Sequence, residues 1–137
     1  MSPDQARARF QESPVARLAT VRPDGTPHLV PVTFALLDTD TLVTAVDHKP
    51  KRTVALARLA NIRANPAVCV LVDHYEDDWT QLWWARADGH AEVVAAEALP
   101  SGVEALCRRY AAYAKRPPSG DLIVITVTRW SAWAALT

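Results

Sequence analysis

Apolar and polar residues alternate with period two along several short stretches of this chain, separated by turn-forming clusters. Residues 16–21, ARLATV, read as a first strand. Arg22-Pro23-Asp24-Gly25-Thr26-Pro27 then reads as a turn, because Pro presets one dihedral and Gly supplies a positive φ. Residues 28–37, HLVPVTFALL, form the returning strand. Pro31 inside it has no N–H for a ladder, so it belongs at an edge or a bulge. A second turn at 37–40 leads to a strand over 41–46. The continuous apolar run AVCVLVD, 67–73, lies between breakers and reads as a buried strand. HYEDDWT, 74–80, is a polar loop, and residues 81–88, a bulge at Gly89 and residues 90–94 make the next strand. A long strand over 122–134 closes the chain, with Ile123, Ile125, Val127 and Arg129 alternating against Val124, Thr126, Thr128 and Trp130.

Helical spacing appears in three places. Ser2-Pro3-Asp4-Gln5 predicts a helix start, with Ser2 as N-cap, Pro3 at the first helical position and Gln5 completing a capping box; Pro14 ends the helix. Val54, Leu56, Leu59 and Ile62 mark a second helix that Asn65-Pro66 stops. Residues 95–115 form a third helical stretch, with Pro100-Ser101-Gly102 as its expected break and Leu106, Tyr110 and Tyr113 near one stripe. Six or seven consecutive short strands with few helices predict a mainly β fold, an antiparallel sheet closed into a small split β-barrel over residues 1–137.

Composition narrows the chemistry by exclusion. At 137 residues the chain suits one domain, and 15 Lys+Arg against 15 Asp+Glu supply no general attraction for nucleic acid or a membrane surface. The first ten residues, MSPDQARARF, lack an apolar core and no apolar stretch approaches a membrane span, so a soluble cytoplasmic protein is expected. Cys69 and Cys107, far apart in apolar and helical runs, suit free thiols in a reducing compartment. The glycines at 25, 89, 102 and 120 are too dispersed for a dinucleotide fingerprint or a P-loop. The histidines at 28, 48, 74 and 90 have no ligand spacing, and His74 beside Glu76, Asp77 and Asp78 reads as a solvated acidic loop, so no metal site is expected.

Two features stand out against that background. Lys49, Lys51 and Arg52 sit where a strand turns into a helix, whose first N–H groups and dipole favour an anion, so the corner suits a phosphate; a solvated charge run reads equally well from these residues alone. The second feature is the supply of indoles, at 79, 83, 84, 130 and 133. Adjacent Trp83 and Trp84 point to opposite strand faces, so one fills the barrel and the other faces outward to a subunit interface or ligand wall, unless the 95–115 helix covers both.

Four segments in this order, ARLATVRPDGTPHLVPVTF (16–34), LVTAVDHKPKR (42–52), NIRANPAVCVLVD (61–73) and DWTQLWWARADGHAEV (78–93), resemble the split β-barrel flavin and deazaflavin proteins of the pyridoxamine 5′-phosphate oxidase-like superfamily. The last segment is similar to the small actinobacterial branch that uses coenzyme F420. The resemblance implies a homodimer with two cofactor clefts at its interface. It implies that Lys49, Lys51 and Arg52 hold phosphate, that Thr44, Ala45 and Val46 run beside the cofactor ring, and that Pro31, Val32 and Thr33 flank its other side. Trp79 would reach in from the partner subunit; Arg63 and Asn65 match a family position too, but their own place at a helix end favours a structural role. It further implies hydride transfer from F420 to an unsaturated small molecule, with FMN as the alternative cofactor and a non-catalytic F420, flavin or haem carrier as the alternative role. The hydride chemistry belongs to the coenzyme, so no catalytic acid–base pair is expected; His74 and Tyr75 are either proton donors or ordinary loop residues.

Overall fold

The computed structural model describes residues 2–46 and 52–135, the side chains of residues 52–56 excepted. Helix α1 (Pro3–Glu12) begins as its sequence predicts: Ser2 Oγ accepts from Gln5 N and Gln5 Oε1 accepts from Ser2 N. Strands β1 (Ala16–Val21) and β2 (Pro27–Val32) follow, joined by a turn in which Gly25 takes φ 87°. Then come β3 (Ala35–Asp38), β4 (Thr41–Ala45), α2 (Arg52–Ala64) and β5 (Ala67–His74). A 3-10 turn at Trp79–Gln81 precedes the long β6 (Trp83–Ala95). A second such turn, Ala96–Ala98, leads to α3 (Pro100–Arg109), α4 (Ala111–Lys115) and β7 (Asp121–Ala134).

All seven strands lie in one antiparallel sheet, ordered β2-β1-β5-β6-β7-β4-β3. The two edge strands, β2 and β3, are consecutive in the chain and only Thr33-Phe34 separates them. Two residues cannot span the width of a flat seven-stranded sheet, so the sheet curls until its edges meet: this is the split β-barrel. Pro31 does sit on an edge strand, as expected. The single strand expected over 28–37, however, is two strands that serve opposite edges of the sheet. The chain breaks at Thr33-Phe34 because Phe34 gives its N–H and C=O to the Tyr110 hydroxyl instead of a ladder partner.

Two other expectations are corrected. The bulge beside Gly89 has its extra residue on β7: Asp88 faces Arg129 and Gly89 faces Val127, leaving Thr128 unpaired with its Oγ1 donating to Asp88 O at 3.1 Å. Gly89 is needed there because a Cβ would stand 2.1 Å from Thr126 O. The 95–115 stretch is strand as far as Ala95, and its helix begins at Pro100 and breaks at Tyr110, which is extended (φ −127°, ψ 124°).

The main core lies between α1, α2 and the inner sheet face. Phe10 is fully buried there, edge-on to Phe34 and Trp130, with Leu18, Val70, Val72, Ile123 and Ile125 around it. Leu42 joins that core, whereas Val43 and Ala45 on the other face of β4 pack with Leu106 and Leu122 beneath α3. Among the described residues no helix is long and apolar enough to cross a membrane.

Candidate functional site

The split in the barrel is also where its sheet pairing stops. β2 follows β1 as far as Val32, opposite Ala16, and β3 takes up β4 only from Ala35, opposite Val43. Beyond that point Thr44 and Ala45 have their ladder partners, Ile123 and Leu122, on the β7 side. A cavity of about 390 Å³ opens between these two residues and the end of β2. Pro31, Val32, Thr33, Thr44 and Ala45 line it, together with Val15, Arg58, Tyr110, Ala112 and Tyr113.

Its walls are largely apolar, with a few polar groups held in place. Thr33 Oγ1 and Tyr113 OH lie 3.0 Å apart, either one donating. Tyr110 OH accepts from Phe34 N at 3.0 Å, and its single proton is placed between Phe34 O and Pro14 O, both at 2.9 Å. The two rings meet edge to face, 5.7 Å between centroids, and Cys107 Sγ donates to Tyr113 O at 3.3 Å, so the α3–α4 break carries a braced aromatic corner. Thr44 is 2% exposed and its Oγ1 has no hydrogen-bond partner among the described residues.

The α2 side of the cavity carries a guanidinium. Arg58 lines it, and the Arg58 charge also reaches His28 on β2. Burial, with Arg22 and Arg58 adding to it, pushes the His28 imidazole below its ordinary value. Nearby, Asn61 Nδ2 donates to buried Thr20 Oγ1 at 3.2 Å. Among the described residues of its lining, the polar side chains are those of Thr33, Thr44, Arg58, Tyr110 and Tyr113.

Five of the residues that the resemblance nominated therefore converge on one cavity: Pro31, Val32, Thr33, Thr44 and Ala45. Val46 does not line it; its N–H donates to Asp121 O at 3.0 Å and its side chain packs on the main core. Lys49 and Lys51 lie outside the described residues, as does the Arg52 side chain. Trp79, at 76% exposure, stands on the Trp79–Gln81 turn away from this lining. Tyr75 and His74 do not line it either: Tyr75 is 60% exposed and His74 pairs with Glu76. Asn65 takes the expected structural part, its Oδ1 accepting from Ala67 N.

The indole pair divides as alternation requires, but the cover is different. Trp83 packs on the core with the Arg9 guanidinium of α1 4.5 Å from its ring. Trp84 faces outward opposite Trp133, and borders a hollow of about 340 Å³ with Leu71, Asp73, Tyr75 and Arg86. Within the 95–115 segment, α3 packs on β3 and β4. Five cavity residues, Val15, Arg58, Tyr110, Ala112 and Tyr113, were absent from the sequence expectation as site residues; the Tyr-x-x-Tyr spacing after Leu106 is the signal that marks the two tyrosines.

Compared with known families, residues 2–134 match the sequence profile described as pyridoxamine 5′-phosphate oxidase. No curated protein matches the chain. Among solved structures it is similar to a conserved hypothetical protein from Mycobacterium tuberculosis (24% identity, 98% of this chain and 85% of that one, TM-score 0.75). It is similar also to a protein described as F420 reductase (28% identity, 91% and 94% covered, TM-score 0.67). An FAD-binding protein from Mesorhizobium loti aligns at 20% identity, 96% and 92% covered, TM-score 0.72.

Proposed function

The chain belongs to the pyridoxamine 5′-phosphate oxidase family, and on that footing we propose that it binds coenzyme F420 in the split of its barrel and serves hydride transfer to an unsaturated small molecule. The observation that carries the proposal is the convergence of Pro31–Thr33 and Thr44–Ala45 on one cavity, with Arg58 at its rim. The residues present fit such a coenzyme: apolar walls suit a conjugated ring, a buried hydroxyl has no partner among the described residues, and a guanidinium belongs to the lining. The likeness to a protein described as F420 reductase supports F420 over FMN.

When bound, the deazaflavin supplies the hydride, and the protein's work is positioning and exclusion of water. Val32 and Ala45 would wall the ring, and Thr33 and Tyr113 present hydroxyls at the opening. Arg58 adds to the phosphate grip that the resemblance assigns to Lys49, Lys51 and Arg52. A second copy of the chain is the proposed cover for the outer face that carries Leu71, Tyr75, Trp84 and Trp133, and the route by which Trp79 reaches the neighbouring cleft. Sedimentation equilibrium is expected to give a dimer that Trp84→Glu dissociates; a monomeric parent protein would remove this part of the reading.

A second reading is a carrier without turnover: among the described residues the cavity lining holds no acid–base pair. Among the described residues no His, Cys or Met lines the cavity as a haem ligand, and the Tyr110 oxygen is already committed to Phe34 and Pro14. Fluorescence titration with F420 and with FMN, followed by turnover assays with quinone, nitro and enone acceptors, tests the proposal. Preference for F420 with hydride turnover is the expected result. Tight binding without turnover selects the carrier, and preference for FMN removes F420.

A further inference from the structure

A second hollow, of about 260 Å³, is formed by α1, β3 and α3. Among the described residues it shares no lining residue with the cavity in the barrel's split, yet the same chain segments build both. Pro31–Thr33 belong to the split and Phe34–Leu36 to the hollow; Tyr110 and Tyr113 line the split, whereas Ala105, Arg108 and Arg109 border the hollow. The Tyr110 hydroxyl, bonded to Phe34 N and Phe34 O, holds the partition between them. Phe10, Phe34, Leu36 and Ala105 give the hollow an apolar floor. Among the described residues of its lining, the polar side chains are those of Gln11, Arg108 and Arg109.

The two arginines are consecutive in the last turn of α3, where cations complement the helix dipole, but both also border this one hollow. Arg109 is held in place: its Nη2 donates to Ser13 O, and its guanidinium carbon lies 5.5 Å from the centre of the Tyr110 ring. A guanidinium has five N–H donors, so a positioned fork is left for an anion. Arg108 Nη1 donates to Glu104 Oε1 at 2.7 Å, but both side chains are exposed, and a surface pair of this kind is weak enough for a better-placed carboxylate to replace it. We infer that the hollow is a binding site for a small carboxylic acid with an apolar body, such as an aryl- or alkyl-acetic acid, its carboxylate against Arg108 and Arg109 and its apolar part on the floor around Phe10 and Phe34. Sites for drug-sized molecules run to roughly 300–1,000 Å³, so this one takes a single ring or a short chain. The Gln11 amide adds a neutral donor at the same rim. The inference goes beyond the coenzyme reading and does not depend on it.

The probe is phenylacetate, with phenylacetamide as the match that lacks the charge and acetate as the match that lacks the ring, each titrated into the full chain and followed by ligand-observed NMR. Phenylacetate is expected to bind with a Kd on the order of 1 mM or tighter, and the other two far more weakly. Arg108→Gln is expected to weaken phenylacetate roughly threefold or more, and Glu104→Gln, which releases Arg108 from its partner, to tighten it about two- to threefold. Both positions are exposed on α3, so neither substitution should move the thermal midpoint appreciably, and a gain of affinity in Glu104→Gln has no explanation in lost folding. Unchanged affinity in either variant overturns the inference, as does phenylacetamide or acetate binding as tightly as phenylacetate. Displacement of phenylacetate by F420 or FMN overturns it too, since the acid would then lie in the barrel's split. A parent protein that binds no phenylacetate overturns it and leaves the coenzyme reading standing.

Discussion

Replacing Tyr110 with phenylalanine removes a single oxygen from the junction on which the barrel's split depends. That oxygen accepts the Phe34 N–H at 3.0 Å and shares its proton between Phe34 O and Pro14 O, both at 2.9 Å. Phe34 is 2% exposed, so its amide has no water to turn to when the acceptor is gone. An orphaned buried amide costs about 1–3 kcal/mol and a lost bond to a carbonyl about 0.5–1.5 kcal/mol, so Tyr110→Phe is expected to destabilise by about 2–4 kcal/mol. For a domain of this size that lowers the thermal midpoint by roughly 6–15 °C. Urea unfolding followed by indole fluorescence and by far-ultraviolet circular dichroism measures it, and both signals should shift together. The phenyl ring keeps the edge contact with Tyr113, so the loss reports the oxygen and not the packing. A destabilisation below about 1 kcal/mol would refute the claim that this hydroxyl holds the Thr33-Phe34 link in place of a ladder partner.

Three further outcomes are expected. Gly89→Ala puts a Cβ 2.1 Å from Thr126 O, a backbone atom that cannot swing aside, so β6 and β7 must part at their bulge; a loss of about 2–3 kcal/mol in urea unfolding is expected. Asp40 accepts from Trp130 Nε1 at 2.8 Å and from Arg7 Nη2 at 2.9 Å, which hold its carboxyl below the ordinary 3.8, Trp130 foremost. Because the folded value is the lower one, its stabilisation is present above pH 3.8 and fades as pH falls through the depressed value; Asp40→Asn is expected to flatten that acid limb of the stability curve. Changing Lys49, Lys51 and Arg52 together to Ala is expected to weaken F420 binding and reduce its salt dependence while leaving the unfolding midpoint nearly unchanged, measured by titration at low and high ionic strength.

Local chemistry made most of the elements legible in the chain. The Ser2–Gln5 capping box, the turn around Gly25 and the alternation over 16–21 and 122–134 each state their structure within a few residues. The resemblance placed Pro31, Val32, Thr33, Thr44 and Ala45 on two sides of one site, and they do line one cavity. The break at Thr33-Phe34 was not legible, because apolar alternation runs straight through it and its cause, Tyr110, lies 76 residues further on. Alternation likewise places Trp83 and Trp84 on opposite faces but is silent on which helix covers the inner one, a matter of tertiary packing that brings Arg9 over Trp83. Arg58 escaped notice for a similar reason: an arginine on a helix next to a buried leucine looks like a solvated residue until the helix is seen against the split in the barrel.

The central claim, that a redox coenzyme lies in the split of this barrel, is tested most directly by a crystal structure of the protein grown with F420. The account predicts ring density bounded by Pro31–Thr33 on one side and Thr44–Ala45 on the other, with the anionic tail running toward Arg58 and the basic residues that precede α2. Density for the coenzyme elsewhere on the protein, with this cavity left to solvent, would contradict it.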